Sequence, residues 1–527
     1  MPIPEPKTPL HLTPAALDWA LAHAREFGDT VFVPHAFEDA AIEHACADVR
    51  DWLVAQDMVK WQPRPLRRFL VKKSGFSFRY VTQLDPLEYL AFTALLLEVG
   101  PALEAIRVPA RERVVYSWRF SANASGQMYD PNYEWTEFVE RCLDLAAEPG
   151  IEWVVTADIA DFFPHIYIHP VEHALAAATG SSAAAYCVLR MIRNWNAFVS
   201  YGLPVGIAGS RIIAEATIND IDRTMMGWGQ PYCRYADDMR VFCRSRADAN
   251  AALEDLARAL FENHGLTFQP EKTAIVTAKE YRDRFSLAPE RVEAESLTTR
   301  FRELLDRAGV TDRYEEDVEY DDLPPIVQEE IDNLNLKDVF EEHLKASPID
   351  PIVIRILLHR LGQLNINVVD QVLDNLGGFA SVMDSVIRYL RHLRGIPDAD
   401  RTAIGARIIA ACEAPEASSY EKMCLLSLFT EGREFHNEAS FERLERVTRD
   451  PAVRRELTLA LGRAHREHWL MQRRRDAAAL DPWNRRAFYA AFSSVTAEPR
   501  EVYYRSLRGG ADVLERAVIE WARANPF

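Results

Sequence analysis

The sequence predicts an α+β core built on an antiparallel sheet, followed by an all-helical C-terminal half. Three observations carry this. Short β-prone segments are interspersed with helical segments between residues 110 and 280. From about residue 325 the apolar residues recur at helical spacing, with no convincing strand pattern. Between the two halves lies a sharply acidic stretch with two prolines, TDRYEEDVEYDDLPPIVQEEID, which reads as a linker or exposed connection.

The elements follow in order. Thr13-Pro14 offers an N-cap and a first-turn proline, and Leu17, Ala20, Leu21 and Ala24 continue at helical spacing. Gly28-Asp29 ends that helix, and a second starts near Phe37. The basic stretch PRPLRRFLVKKSGFSFRYV reads as a hairpin turning at Ser74-Gly75. A helix from about Pro86 to Glu104 comes next. Strands are expected in RVVYSWRFSA, IEWVVTADIADFF, YCRYADDMRVFCRS and KTAIVTAK, with helices near 171–195, 208–226 and 247–264. IVIRILLHRLGQL, VMDSVIRYLRHLRGI, YEKMCLLSLFT and LTLALGRAHREHWL then read as successive helices of a solenoid or bundle. The expected division is a helical extension over 1–60, the α+β domain over 61–310, the acidic linker over 311–332 and the helical domain over 333–527.

Composition narrows the class. A chain of 527 residues exceeds what one core usually organises. Its hydrophobic share of 48% and charged share of 27% are those of a globular protein. No uncharged apolar stretch reaches the roughly 18–20 residues that span a bilayer. The richest, Leu90–Leu97, is bounded by Glu98 and Pro101. MPIPEPKTPL lacks a basic-then-apolar signal pattern, so a cytoplasmic location and no membrane partner are expected. The seven cysteines are odd in number and lack a C-x-x-C, which points to reduced thiols rather than disulfides or zinc. A net charge of −18 argues against a nucleic-acid coat, though a local basic groove is compatible with it.

Three separated segments carry chemistry. VVTADIADFFPHI sets Asp158 near the end of an apolar strand, with Asp161 three residues on. YGLPVGIAGSRIIAEATINDID is a glycine-rich loop running into a helix, and YCRYADDMRVFC places Asp237-Asp238 between β-prone flanks. Phosphoryl transfer from a nucleoside triphosphate needs positioned phosphates and metal ions near the developing charge. Mg²⁺, or Mn²⁺ in its place, takes hard oxygen ligands. Asp158 and Asp237 are the first-choice ligands and Asp238 a supporting one. Each segment alone has a bland reading: a solvated Asp-Asp turn, a strand end, a glycine turn. All three in this order are hard to explain that way.

Together they resemble the palm motifs of reverse transcriptases. TADIADFF resembles the first, GLPVGIAGSRIIAEA the second, Y-A-D-D in a hairpin the third and NHGLTFQPEKTAIV the fourth, over roughly residues 151–280. The resemblance implies a right-hand polymerase with fingers and palm. Phe163 would pack on the sugar and reject a 2′-hydroxyl, and Lys272 would approach the pyrophosphate. FLVKKSGFSFRYVTQLDPLEYL resembles the fingers hairpin. Lys72 and Arg79 would there hold the triphosphate, with Arg67, Arg68 and Lys73 adding positive potential. Val205 and Gly206 would lie beside the nucleotide. Many members carry glutamine where Val205 stands, which puts ordinary template-guided selection in question.

The P-V-G variant, with S-R and A-E-A after it, is similar to bacterial abortive-infection and "unknown group" reverse transcriptases associated with phage defence. EFGDTVFVPHAF, YVTQLDPLEYL, VVYSWRF and DPWNRRAFYAA agree. This branch implies a C-terminal HEAT-like repeat domain, anti-phage activity, dNTPs as substrates, a single-stranded DNA product and homo-oligomers. Some members prime from a protein tyrosine without a conventional template, and others use a partner non-coding RNA. The 18 tyrosines here leave the priming residue open.

Two further clusters stand out. Arg473, Arg474 and Arg475, with Arg463, Arg466, Arg485, Arg486, Trp469 and Trp483 nearby, form a basic zone. It either guides nucleic acid by charge and stacking or makes ion pairs on a helical surface. His165, His169 and His173 recur every four residues, but Pro170 interrupts them, so they read as structural. The competing functions are a templated reverse transcriptase of a mobile element and a helical-repeat scaffold with an inactive palm.

Overall fold

A computed structural model describes residues 2–28, 32–73, 77–196, 199–284, 301, 304–305, 320–345, 349–432, 435, 437–507 and 509–527. Six strands are described: β1 (Arg67–Lys72), β2 (Phe78–Gln83), β3 (Trp153–Asp158), β4 (Tyr232–Tyr235), β5 (Asp238–Cys243) and β6 (Ala274–Thr277). The chain divides into two compact units. One comprises Met1–Asp29, Val54–Arg64 and Glu88–Asp317; the other comprises Thr30–Leu53, Pro65–Leu87 and Val318–Phe527.

The first unit is built on a four-stranded antiparallel sheet in the order β4-β5-β3-β6. After Trp153, β3 is buried at every position, as a central strand should be. Helix Trp135–Ala146 packs on β4 and β5, and helix Arg246–His264 on β3, β5 and β6. Phe138 and Cys142 share one core cluster with Val154, Cys233 and Phe242 of the sheet. The strand expected in RVVYSWRFSA is reduced to two isolated bridges, one between Phe120 and Tyr129 and one between Val115 and Arg234. Left-handed φ angles at Arg113 (53°) and Trp118 (44°) bend the chain at both ends of the latter. The helix expected over 171–195 is two, Ile168–Thr179 and Ala183–Trp195. Gly180 ends the first in the left-handed region and Ser182 caps the second.

Helix Pro86–Ile106 runs through Glu98 and Pro101 and ends two residues past the expected Glu104. Gly100 eases the passage through Pro101, because it has no Cβ to clash with the following proline ring. By length and composition alone this helix could cross a membrane. Here Leu90, Phe92, Leu95, Leu96 and Leu103 are buried core residues. Buried Glu88 accepts the indole N–H groups of Trp61 (2.7 Å) and Trp195 (3.0 Å). Each large apolar side chain so buried contributes about 1.5–3 kcal/mol. Helix Ala208–Thr217 is fitted closely: a Cβ on Gly209 would fall 1.8 Å from Leu96 Cδ1.

In the second unit the described residues from 320 onward form helices and turns, without strands. Pro351–Gln363, Met383–His392, Ser419–Ser427, Pro451–Arg463, Pro482–Ala491 and Val513–Ala524 pack in series, each on the next, with other helices between them in the chain. Asp-Pro pairs open three of these helices: Asp350, Asp450 and Asp481 cap the backbone while the proline occupies the first turn. Pro325–Asp332, inside the acidic stretch, is also a helix, with Val327 and Ile331 buried. The turn expected at Ser74-Gly75 and residues 306–319 lie outside the described residues. The β1–β2 hairpin belongs to this unit. Phe69 meets the Tyr420 ring, and Trp483 donates its indole N–H to Pro65 O at 2.8 Å.

Candidate active site

The antiparallel register of β3 and β5 sets Asp158 opposite Asp238. Tyr235 pairs with Asp238 across β4 and β5, leaving Ala236-Asp237 as a two-residue hairpin turn. One carboxylate oxygen from each of Asp158, Asp237 and Asp238 can be chosen so that all lie within 4.8 Å of one another. Among the described residues this is the cluster of acidic, histidine or cysteine side chains able to hold a metal. Three hard anionic oxygens, two from strand ends and one from the turn, fit a small divalent cation.

Backbone bonds hold the surrounding chain. Ile159 N donates to Asp237 O (3.1 Å), Gln269 N to Asp158 O (2.8 Å) and Ala160 N to Thr267 O (2.8 Å). The last two dock the fourth motif beside Asp158. Lys272 follows in the short 3-10 turn Pro270–Lys272, with Nζ 3.2 Å from Asp158 Oδ2. Burial pulls its pKa down, but Asp158, Asp238 and Asp237 outweigh that and hold it above the ordinary lysine value. Its side chain is about half exposed, so solvent screens the pair. Arg240 stands 3.4 Å from Asp238 Oδ1.

The glycine-rich loop is tied to the chain after Asp158. Leu203 N donates to Phe163 O (2.9 Å) and Gly202 N to Ile166 O (2.8 Å). Gly202 has φ +100°, a conformation that favours glycine. Asn196 Nδ2 reaches Gly202 O at 2.6 Å. Val205 is half-buried in the turn that follows, and Gly206 also has positive φ. Phe163 is buried, with its ring 5.8 Å from that of Trp118. Asp161 is exposed and precedes the short helix Phe162–His165. The rings of His169 and His173 are 4.1 Å apart, outside the acidic cluster.

The structure thus brings Asp158, Asp237, Asp238 and Lys272 together, and joins Phe163 to the glycine-rich loop. Lys72 and Arg79 belong to the hairpin of the second unit. Lys72 is exposed, and the Arg79 guanidinium lies 5.3 Å from the Phe32 ring. Arg67 lies between Phe69 and Trp483, while Arg68 is exposed. Arg473 pairs with Glu445 (3.1 Å) and lies over Trp469, Arg474 donates to Met471 Sδ, and Arg475 is exposed. Trp483 is a buried core residue.

Several residues around the turn escaped the sequence reading. Trp118 touches the rings of Phe163 and Tyr235 and carries the Arg211 guanidinium 5.1 Å away. Ser117, Glu215, Asp222 and Arg234 form a buried polar group behind the hairpin. A glutamate inside the apolar run IIAEAT and an arginine inside a strand were the available signals.

Residues 120–309 match the sequence profile of the reverse transcriptase (RNA-dependent DNA polymerase) family. No curated protein matches the chain. Among solved structures it is similar to apo telomerase from Candida tropicalis, at 10% identity over 73% of each chain, with a TM-score of 0.33. It is also similar to Candida albicans telomerase in complex with a TWJ fragment of telomeric RNA. That match has 12% identity, covers 74% of this chain and 66% of that one, and has a TM-score of 0.31. The matched segment contains the Asp158–Asp237–Asp238 cluster and the strands that carry it, and with it the chain carries a reverse transcriptase domain, an enzyme of the DNA nucleotidyltransferase class.

Proposed function

We propose that the protein polymerises deoxynucleoside triphosphates by two-metal phosphoryl transfer in anti-phage defence. The observation that carries the chemistry is the convergence of Asp158, Asp237 and Asp238 within 4.8 Å, on two strand ends and a hairpin turn of a domain of this family. These carboxylates would hold Mg²⁺, or Mn²⁺ in its place. When bound, the ions lower the cost of charge on the attacking and leaving oxygens. Lys272 would supply positive charge on the pyrophosphate side, and Phe163 would exclude a ribose 2′-hydroxyl. Val205 and Gly206 would line the nucleotide beside it. Lys72 and Arg79 would grip the triphosphate, as the fingers resemblance implies. Arg67, Arg68 and Arg473–Arg475 would contribute to nucleic-acid contact through whatever charge their present partners release.

The defence role rests on the branch-like motifs. The serial packing of C-terminal helices supports a HEAT-like repeat domain, the surface through which we propose the protein forms homo-oligomers. Seven free cysteines, six of them buried, support a cytoplasmic location. Val205 in place of glutamine favours synthesis without a conventional template, primed by a protein tyrosine or guided by a non-coding RNA, to give single-stranded DNA.

The test is incorporation of each labelled dNTP by purified protein with Mg²⁺, with and without primer–template, beside Asp237→Ala. Label retained covalently on the protein without primer, and lost in the variant, is the expected result. Extension confined to primer–template would favour the templated mobile-element enzyme. No incorporation under varied metal, primer and RNA conditions would overturn polymerisation and leave the scaffold reading.

A further inference from the structure

The Ala236-Asp237 turn has an unusual residue in it. Ala236 has φ +54°, and two-residue hairpin turns that need positive φ normally use glycine, asparagine or aspartate. Alanine offers no side-chain hydrogen bond to hold this conformation, so its surroundings must impose it.

They grip the residue from both sides. Its N–H donates to Ser117 Oγ at 2.8 Å, and its carbonyl accepts from Arg234 Nη1 at 2.8 Å. Ser117 donates its own proton to Glu215 Oε1 at 2.6 Å, which leaves the hydroxyl oxygen free to accept from Ala236. Arg234 is fixed in turn. It bonds Glu215 at 3.0 and 2.9 Å and Asp222 at 2.7 and 2.6 Å. Arg107 also bonds Glu215, at 2.8 Å, and holds the Ser117 and Trp118 carbonyls. Ser117, Glu215 and Arg234 are wholly buried. Such a group is expensive to bury unless every charge is matched, and here Arg234 meets Glu215 and Asp222 while Arg107 meets Glu215 and, at 2.9 Å, Glu104.

We infer that Ser117 and the Glu215–Arg234 pair are positioning residues for Asp237. By fixing both peptide groups of Ala236, they set the direction in which the next residue presents its carboxylate. This rests on the reading of Asp237 as a metal ligand. A purely structural role, joining helix Ala208–Thr217 to β4, would not single out the one strained residue beside that ligand.

Ser117→Ala removes one hydroxyl and no charge. Mn²⁺ binding to the full-length protein, followed by electron paramagnetic resonance of the free ion, reads the site without turnover; the Asp237→Ala titration defines the binding to be counted. Ser117→Ala is expected to weaken that binding about tenfold, as loss of ligand support commonly does, with circular dichroism unchanged. Ala236→Gly accepts positive φ unaided, so in its background the Ser117→Ala effect should shrink to about twofold or less. Wild-type Mn²⁺ affinity in a folded Ser117→Ala protein would overturn the inference. So would a loss undiminished in the Ala236→Gly background, or wild-type binding indifferent to Asp237→Ala. If the metal effects hold but no dNTP is incorporated, the polymerase reading fails and the positioning role stands. If incorporation is normal and Ser117→Ala is silent, the reverse holds.

Discussion

Asp158 and Asp238 are direct partners across β3 and β5, so the sheet register itself places two carboxylates side by side. Like charges directly opposite one another oppose strand pairing. Lys272 on Asp158 and Arg240 near Asp238 offset part of that repulsion. Asp238→Asn removes one of the opposed charges. In metal-free buffer it should therefore leave stability unchanged or raise it by up to about 1 kcal/mol. Mg²⁺-dependent nucleotide incorporation should fall on the order of 10²-fold. Urea titration and a single-turnover assay check the two halves. A clear loss of stability would mean that the carboxylate mainly supports the fold.

Phe163 is buried against Trp118 and Phe162, with its carbonyl bonded to the glycine-rich loop. The ring is thus fixed by packing and its backbone by the loop, which suits a rigid wall against a 2′-hydroxyl. Phe163→Val shortens the wall. Discrimination of dNTP over NTP, measured by direct competition, should drop about 10–100-fold. The stability cost should stay below the roughly 3–5 kcal/mol of a phenylalanine-to-alanine change. Unaltered discrimination would make Phe163 a core aromatic and nothing more.

The three aspartates and the lysine were legible because each sits in a short pattern whose local structure follows from its own residues. An apolar run makes β3, and β-prone flanks around Ala-Asp-Asp make a hairpin. The register that sets Asp158 opposite Asp238 was not legible, since it depends on packing between segments far apart in the chain. Ser117 looked like part of a strand, yet positive φ at Trp118 turns the chain so that its hydroxyl meets Ala236. Glu215 sits in an apolar helix, and the sequence alone does not say which arginine pairs with it. In the C-terminal half, periodicity revealed helices, while their stacking order came only with the fold. In the basic zone, likewise, the pairing of Arg473 with Glu445 and the burial of Trp483 beneath Arg67, Arg455 and Arg486 depend on packing that helical spacing does not reveal.

His23 links the first helix, Pro14–Glu26, to the chain near residue 126. Its Nδ1 lies 2.8 Å from Gly126 O, and its ring stacks between Trp19 and Phe27. Nε2 is buried without an acceptor, so a second ring proton would have nowhere to go. Burial lowers the pKa, opposed in part by the bond to Gly126. With the folded value below the unfolded value of about 6.5, the unfolded chain takes up the proton first as pH falls. The contribution of His23 is therefore complete above about pH 6.5 and declines below it. Denaturation midpoints at pH 7.5 and 5.5 should differ more for the wild type than for His23→Gln. Equal slopes would show that the ring is not protonated differently in the two states.

Glu38 carries the last prediction. It is fully buried on helix Phe37–His44, with Arg455 at 2.5 Å and Arg486 at 3.1 Å. Arg486 also bonds Asp85, which follows β2, at 3.0 Å. The group therefore joins that helix and the end of the hairpin to the C-terminal helices within the second unit. Burial raises the Glu38 pKa, but the two arginines outweigh it and hold the carboxyl below its ordinary value. Its contribution is thus present above the unfolded carboxyl pKa of about 4.3 and is lost as pH falls through the lower, folded value. Glu38→Gln leaves two buried arginines short of a counter-charge, and should cost about 3–5 kcal/mol in urea titration at neutral pH. Because the Arg486–Asp85 bond depends on the same guanidinium, β1–β2 amide protons should exchange faster in the variant. An apolar replacement of the group around Arg455, Glu38→Met with Arg455→Met and its other partner Glu456→Leu, should recover part of the stability, since desolvation of all three charges is then avoided and Arg486 keeps Asp85. A Glu38→Gln protein as stable as the wild type would mean that Asp85 and Glu456 alone satisfy the arginines.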